Sequence, residues 1–226
     1  SVCARSARGG GSLAAPKPAF TLAEVLVTLG IIGVVSAMTV PSLMQNHQRK
    51  TYVTQLHKVY NELLQASQQY ITDRNAINLT EAGVNSQEAL NNWIELYFKV
   101  VQKCDNSLTP CFALDEFRTL SGKSYSSGHA AATSYVLNNG VAIRPHYSNG
   151  DIYILADINA QKGPNIFGRD LFYMILYPDI RLDEQGADAG PLDKDLREEK
   201  FTTNFNNDGA WGYFGKILND NWEMNY

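Results

Sequence analysis

A chain of 226 residues with 44% hydrophobic, 11% aromatic and 19% charged residues is long enough for one well-packed domain and short for two. A net charge of −4 and a pI near 5.6 give no electrostatic footprint for nucleic acid, and a mean hydropathy of −0.25 is too polar for a protein of many membrane spans. The aromatic content argues against a disordered chain, and three cysteines against a disulfide-dense mini-protein.

These averages cover an uneven chain. Residues Ser1–Ala19 carry Arg5, Arg8 and Lys17, no acid, and a remainder rich in Gly, Ala and Pro. Such a stretch has too little apolar surface to fold, and its charge is that of a leader held on the cytoplasmic side. Without it 16 basic and 23 acidic residues remain, a net charge of −7. Cys3 leaves with it, so that Cys104 and Cys111 remain as an even pair.

Phe20–Met44 is the next part, an apolar run whose single charge is Glu24. As a helix it would extend roughly 37 Å, enough to cross a hydrocarbon core of about 30 Å. A core helix of a soluble domain would be shorter and would show a polar stripe, which is absent here. Glu24 distinguishes between kinds of membrane segment. An unpartnered carboxylate inside an apolar run is costly, whereas one near a helix N-terminus is favoured by the helix dipole. Cleavage before Phe20 would also create an α-amine four residues from Glu24, cationic at neutral pH. Between neighbouring helices such an amine and Glu24 can fix axial register, which would make a lone acid an assembly device.

The run Lys17-Pro18-Ala19, then Phe20-Thr21-Leu22-Ala23-Glu24-Val25-Leu26-Val27-Thr28-Leu29-Gly30-Ile31-Ile32-Gly33, strongly resembles the prepilin cleavage and methylation segment of type IV pilins and type II secretion pseudopilins. The resemblance implies that a prepilin peptidase cuts between Ala19 and Phe20 and methylates the new amine, and that Glu24 serves subunit docking. Pro41 falls where the family's helix-kinking proline lies. The family usually has Gly before the cut where this chain has Ala19, another small residue. The likeness covers only Phe20 to about Met44, roughly a ninth of the chain. Gly30, Gly33 and Pro41 weaken the helix locally, Pro41 by lacking an N–H and pressing on the carbonyl of Ala37.

Beyond Met44 the helical period continues through Tyr52, Val53, Leu56, Val59, Tyr60, Leu63, Leu64, Ser67, Tyr70 and Ile71, which predicts one long helix from about Thr21 to Ile71. A second amphipathic helix is predicted over Gln87–Lys103, capped by Ser86, with Leu90, Trp93, Ile94, Tyr97, Phe98 and Val101 facing inward. Cys104 and Cys111 follow. Their spacing is too wide for a CxxC redox centre, and no second ligand pair suggests zinc, so an exported domain would hold them as a small structural disulfide. An antiparallel meander is predicted next, over Ser134–Leu137, Val141–Tyr147 and Ile152–Ile158, with Asn-Gly turns between its strands. Leu171–Tyr177 is a further strand candidate. Asp183–Asn207 reads as a long polar surface loop, and Ala210–Leu218 with Trp222–Tyr226 as a terminal hairpin.

Between the strands, Asp157–Asp170 is rich in oxygen ligands. Asp157, Asn159, Asn165 and Asp170 can surround a hard cation such as Ca²⁺, although the spacing is not that of an EF-hand. Lys162 and Arg169 pairing with the two acids, or Asx turns, account for the same residues without a metal. Some pseudopilins carry a structural calcium in a comparable loop. No nucleophile elbow, HExxH, P-loop or dinucleotide fingerprint is present, and His47, His57, His129 and His146 are scattered, so no enzyme activity is expected.

The expectation is therefore an α+β, pilin-like protein with a leader over 1–19, a transmembrane or filament-core helix half over 20–44, and a soluble domain over 45–226. By resemblance it is a filament subunit of the bacterial inner membrane, single-pass, with its soluble domain outside the cytoplasm. Its implied partners are like subunits, the prepilin peptidase and an inner-membrane assembly platform, the filament being periplasmic or extracellular. The alternative is a membrane-anchored or secreted, calcium-dependent binding or adhesion protein that uses the segment only for export.

Overall fold

The predicted long helix is present as α1, Leu22–Asp73, in a computed structural model that describes residues 20–113, 116–125 and 132–226. The leader, with Ala19, and His129 lie outside the described residues. The chain divides after Gln45 into two compact units.

The first unit, where described, is the apolar half of α1, the one helix among the described residues long and apolar enough to cross a membrane. Its large side chains are turned outward on every side, Leu22, Leu26, Ile31, Met38 and Met44 among them. Three of its hydroxyls bond back to the helix: Thr28 Oγ1 donates to the Glu24 carbonyl, Thr39 Oγ1 to that of Val35 and Ser42 Oγ to that of Thr39, all at 2.9 Å. These three find a partner without water, as side chains surrounded by lipid would need. Pro41 lies inside the helix.

The second unit is α+β. One stripe of α1, from Val53 through Leu56, Val59, Leu63 and Ala66 to Tyr70, joins a single core with the strands. Ser86 caps α2, Gln87–Tyr97, by accepting from the Ala89 N–H at 3.2 Å. This helix is shorter than predicted. At Phe98 the backbone becomes extended, and Val100–Lys103 leaves as strand β1. Val101, expected on the inner helix face, is 65% exposed. Pairing of β1 with the strand at Tyr135–Leu137 outweighs a helical period that continues only by composition.

A short antiparallel ladder, β2 (Phe117–Arg118) and β3 (Ser124–Tyr125), stands apart from the main sheet. That sheet uses β1, β4 (Tyr135–Leu137), β5 (Ala142–Ser148), β6 (Asp151–Asp157), β7 (Leu171–Leu176) and β8 (Leu182–Asp183), all antiparallel in the order β1-β4-β5-β6-β7-β8. The predicted meander is therefore present, one residue or so from its expected limits. The β5–β6 turn is the tight one: Ser148 faces Asp151, and both Asn149 and Gly150 have positive φ, as a two-residue primed turn requires.

The C-terminal quarter differs from expectation. The predicted polar loop 183–207 contains β8 and helix α3, Lys194–Asn206, whose N-cap Asp193 accepts from the Leu196 N–H at 2.8 Å. Its charge run is a helix of good helix formers pinned by one buried aromatic, Phe201, which gave no readable apolar period. The predicted terminal hairpin is a helix, α4 (Tyr213–Asn219), followed by a closing turn in which the Trp222 N–H bonds the Ile217 carbonyl at 2.9 Å. Tyr213, Phe214 and Ile217, buried together, follow helical spacing rather than alternation.

Candidate functional site

The first turn of α1 holds the predicted processing and assembly residues. Phe20 is exposed. Thr21 and Glu24 form a reciprocal capping box: the Thr21 N–H and Oγ1 both donate to Glu24 Oε2 at 2.8 Å, and the Glu24 N–H donates to Thr21 Oγ1 at 3.2 Å. Sequence reasoning singled out Glu24 and missed Thr21, although T-x-x-E ahead of an apolar run was the available signal.

Cys104 and Cys111 are joined as a disulfide, their Cα atoms 6.0 Å apart. The loop they close is held by the buried Arg144, whose guanidinium donates to Ser134 Oγ at 2.7 Å and to the Ser107 carbonyl at 3.3 Å. Arg144 thus ties the disulfide loop and the residue ahead of β4 to β5.

Asp157, Asn159, Asn165 and Asp170 come together as one polar cluster, with Asp157, Asn165 and Asp170 fully buried. Asp170 organises it. Its Oδ1 accepts from the Ile166 N–H at 2.7 Å, and its Oδ2 accepts from the Asn165 N–H and from Asn159 Nδ2, both at 3.1 Å. Asn159 Nδ2 also reaches the Tyr52 hydroxyl of α1 at 3.3 Å. Asp157 Oδ1 accepts from the Asn159 N–H at 3.1 Å, an Asx turn, while Asp157 Oδ2 and Asn159 Oδ1 are buried without a hydrogen-bond partner. Burial above all, then the charge of Asp170, pushes the Asp157 carboxyl up to about 8. Lys162 and Arg169 form no ion pair among the described residues, so the ion-pair account of this loop is not realised. The Asx-turn account describes the loop's frame and leaves the two orphaned oxygens unexplained. Both are hard donors, and their burial fits a hard cation. Among the described residues no three His, Cys, Asp or Glu side chains converge suitably for a metal, so a cation here would rest on two carboxylates and two amides.

A second buried acidic pair, not foreseen from the sequence, secures the C-terminal helices. Asp183 takes both arms of Arg197, Nη2 at 2.6 Å and Nε at 2.9 Å. The neighbouring Glu184 is fully buried against α4, with Oε1 accepting from the Gly215 N–H at 2.9 Å. Its burial pushes the carboxyl up to about 7, outweighing the opposing pull of the Gly215 and Gly212 amides.

No family model matches the chain, and no curated protein or solved structure matches it either.

Proposed function

We propose that the chain is a pilin-like structural subunit of a type IV pilus-like or type II secretion pseudopilus filament. In this reading a prepilin peptidase cuts before Phe20 and methylates its amine. The apolar half of α1 anchors the precursor in the inner membrane and then packs against like helices on an assembly platform. The observation that carries the reading is the outward-facing apolar half of α1, with a lone acid in its first turn, leading into a disulfide-bearing α+β unit. A surface apolar on all sides must be covered by lipid or by other helices. The decisive experiment is N-terminal sequencing with mass determination on protein from its native membrane. An N-methylated Phe20 with the helix retained supports the proposal. Cleavage after Ala37, as an ordinary signal peptidase would cut Val35-Ser36-Ala37, overturns it in favour of an exported binding protein.

The polar cluster of the second unit is read as a structural cation site of the calcium class, held by Asp157, Asn159, Asn165 and Asp170. A bound cation would neutralise the buried Asp157 and tie the loop to the end of β6. Its role is to hold the fold, with no chemistry performed on a substrate.

A further inference from the structure

Directly after its apolar run the chain becomes basic. Between Met44 and Glu62 it carries Arg49, Lys50 and Lys58 and no Asp or Glu, against a net charge of −4 for the whole. Arg49 and Lys50 line a cavity of about 640 Å³ between α1 and the C-terminal segment at Trp222–Asn225. One wall is aromatic: the His57 ring stacks on Trp222 with centroids 4.0 Å and planes 21° apart, and Tyr60 meets the same indole edge-on at 5.0 Å. Val53 and Met224, both buried, supply apolar lining. Among the described residues neither Arg49 nor Lys50 forms an ion pair. Glu223 also lines the cavity, and its carboxylate accepts from Asn225 Nδ2 at 3.3 Å.

We infer that this cavity takes the phosphodiester headgroup of an anionic membrane lipid, Arg49 and Lys50 holding the phosphate while Val53 and Met224 meet the glycerol carbons. A planar guanidinium and a point-charge ammonium on adjacent residues suit phosphate oxygens, and the shared apolar lining separates such a site from a merely charged surface. The source of the phosphate follows from chain length. Arg49 is five steps along the chain from Met44, a span of at most about 18 Å, so a membrane-embedded Phe20–Met44 keeps these cations within reach of the headgroup layer. The inference rests on the membrane-anchored reading above and adds a lipid partner to it.

The test uses the full chain in nanodiscs of phosphatidylcholine, with or without phosphatidylglycerol, reading tryptophan emission and assigning the Trp222 signal with W222F. Phosphatidylglycerol is expected to shift that emission saturably. Arg49→Gln or Lys50→Gln should each raise the phosphatidylglycerol needed for half the change roughly fivefold, and the double variant roughly 30-fold. Lys58→Gln, on the same helix but outside the cavity, should change it less than about twofold. Equal emission in both lipids overturns the inference, as does a Lys58→Gln effect as large as that of Arg49→Gln, which would mean diffuse attraction. Glycerol phosphate added to phosphatidylcholine discs should be inert, and a full response to it would assign the cavity to a soluble phosphoester and overturn the lipid. Failure of the chain to enter nanodiscs refutes the anchoring reading and the lipid with it. Entry without a phosphatidylglycerol response refutes the lipid site alone.

Discussion

Glu184→Gln isolates the cost of burying one carboxyl beneath α4. The side chain is fully buried, and its carboxyl stands at about 7 in the fold against an ordinary 4.5. At about 1.4 kcal/mol per decade of proton affinity, that gap makes the ionised form about 3 kcal/mol dearer in the fold than in the unfolded chain. The sign follows from which state holds the proton. Below about pH 4.5 both states are protonated and nothing is lost. As the pH rises the unfolded chain releases its proton first, so stability falls across the window, and above about pH 7 the whole loss is present. Gln keeps an oxygen for the Gly215 N–H and cannot ionise. The variant should therefore match the wild type near pH 4.5 and exceed it at pH 8 by about 3 kcal/mol, or some 6–12 °C in Tm for a unit of this size. Thermal unfolding of the full chain in detergent micelles, followed from pH 4.5 to 8, measures it. Only the difference between the two profiles counts, because Asp157, raised to about 8, tilts both in the same direction. Parallel profiles, or a variant less stable at pH 8, would refute the assignment of the charge penalty to Glu184.

Three further perturbations probe the frame around the sites. Gly212 has φ 88°, and a Cβ there would sit 2.6 Å from the Phe201 Cα, so Gly212→Ala should force α3 and α4 apart and cost about 2–3 kcal/mol in urea unfolding; an unchanged midpoint would contradict that close approach. Replacing Cys104 and Cys111 together by Ser should remove about 2.5 kcal/mol through the freed loop, and reduced wild-type protein should unfold at the same midpoint as the variant. Calcium should raise the Tm of wild-type protein above its value in chelator and leave Asp157→Asn unmoved, whereas identical wild-type curves would mean that the polar loop is held by Asx turns alone.

The parts of the fold legible in the sequence were those whose periodicity reached the core. α1 and the β5–β6 hairpin carried unbroken patterns, and Asn149-Gly150 carried the turn chemistry as well. α2 was overextended because Val101 continued a helical spacing that strand pairing then overrode. The C-terminal helices were illegible for a different reason. α3 buries chiefly Phe201, and it is further held by Asp193 at the N-cap, by the Lys216–Glu198 pair and by the Asp183–Arg197 pair, which joins residues 14 apart in sequence. Such cross-element pairing leaves no local pattern to read. The same holds for the candidate cation site, where the sequence named four oxygen-bearing residues. It had no means of showing that Asp170 would also carry the framework hydrogen bonds while Asp157 and Asn159 retained unpartnered oxygens.

Glu24 posed a choice between a local cap and an assembly contact, and the geometry of its carboxylate makes the two compatible. Both Thr21 donors converge on Oε2, so the capping box fixes the carboxylate at the helix start while Oε1 takes no part in it. In the filament reading, a neighbouring chain's α-amine would meet a carboxylate already oriented by its own helix, and less side-chain freedom would be lost on docking. Thr21→Ala separates the contributions, since it retains the charge and removes the hydroxyl that both donates to and accepts from Glu24. Glu24→Ala should insert in the membrane and fail to assemble. Thr21→Ala should insert and assemble at a reduced level, measured as filament yield in cells that express both the peptidase and the assembly platform. If Thr21→Ala assembled no better than Glu24→Ala, the cap rather than the free oxygen would be what assembly requires; full assembly of both variants would remove the first turn from the docking mechanism altogether.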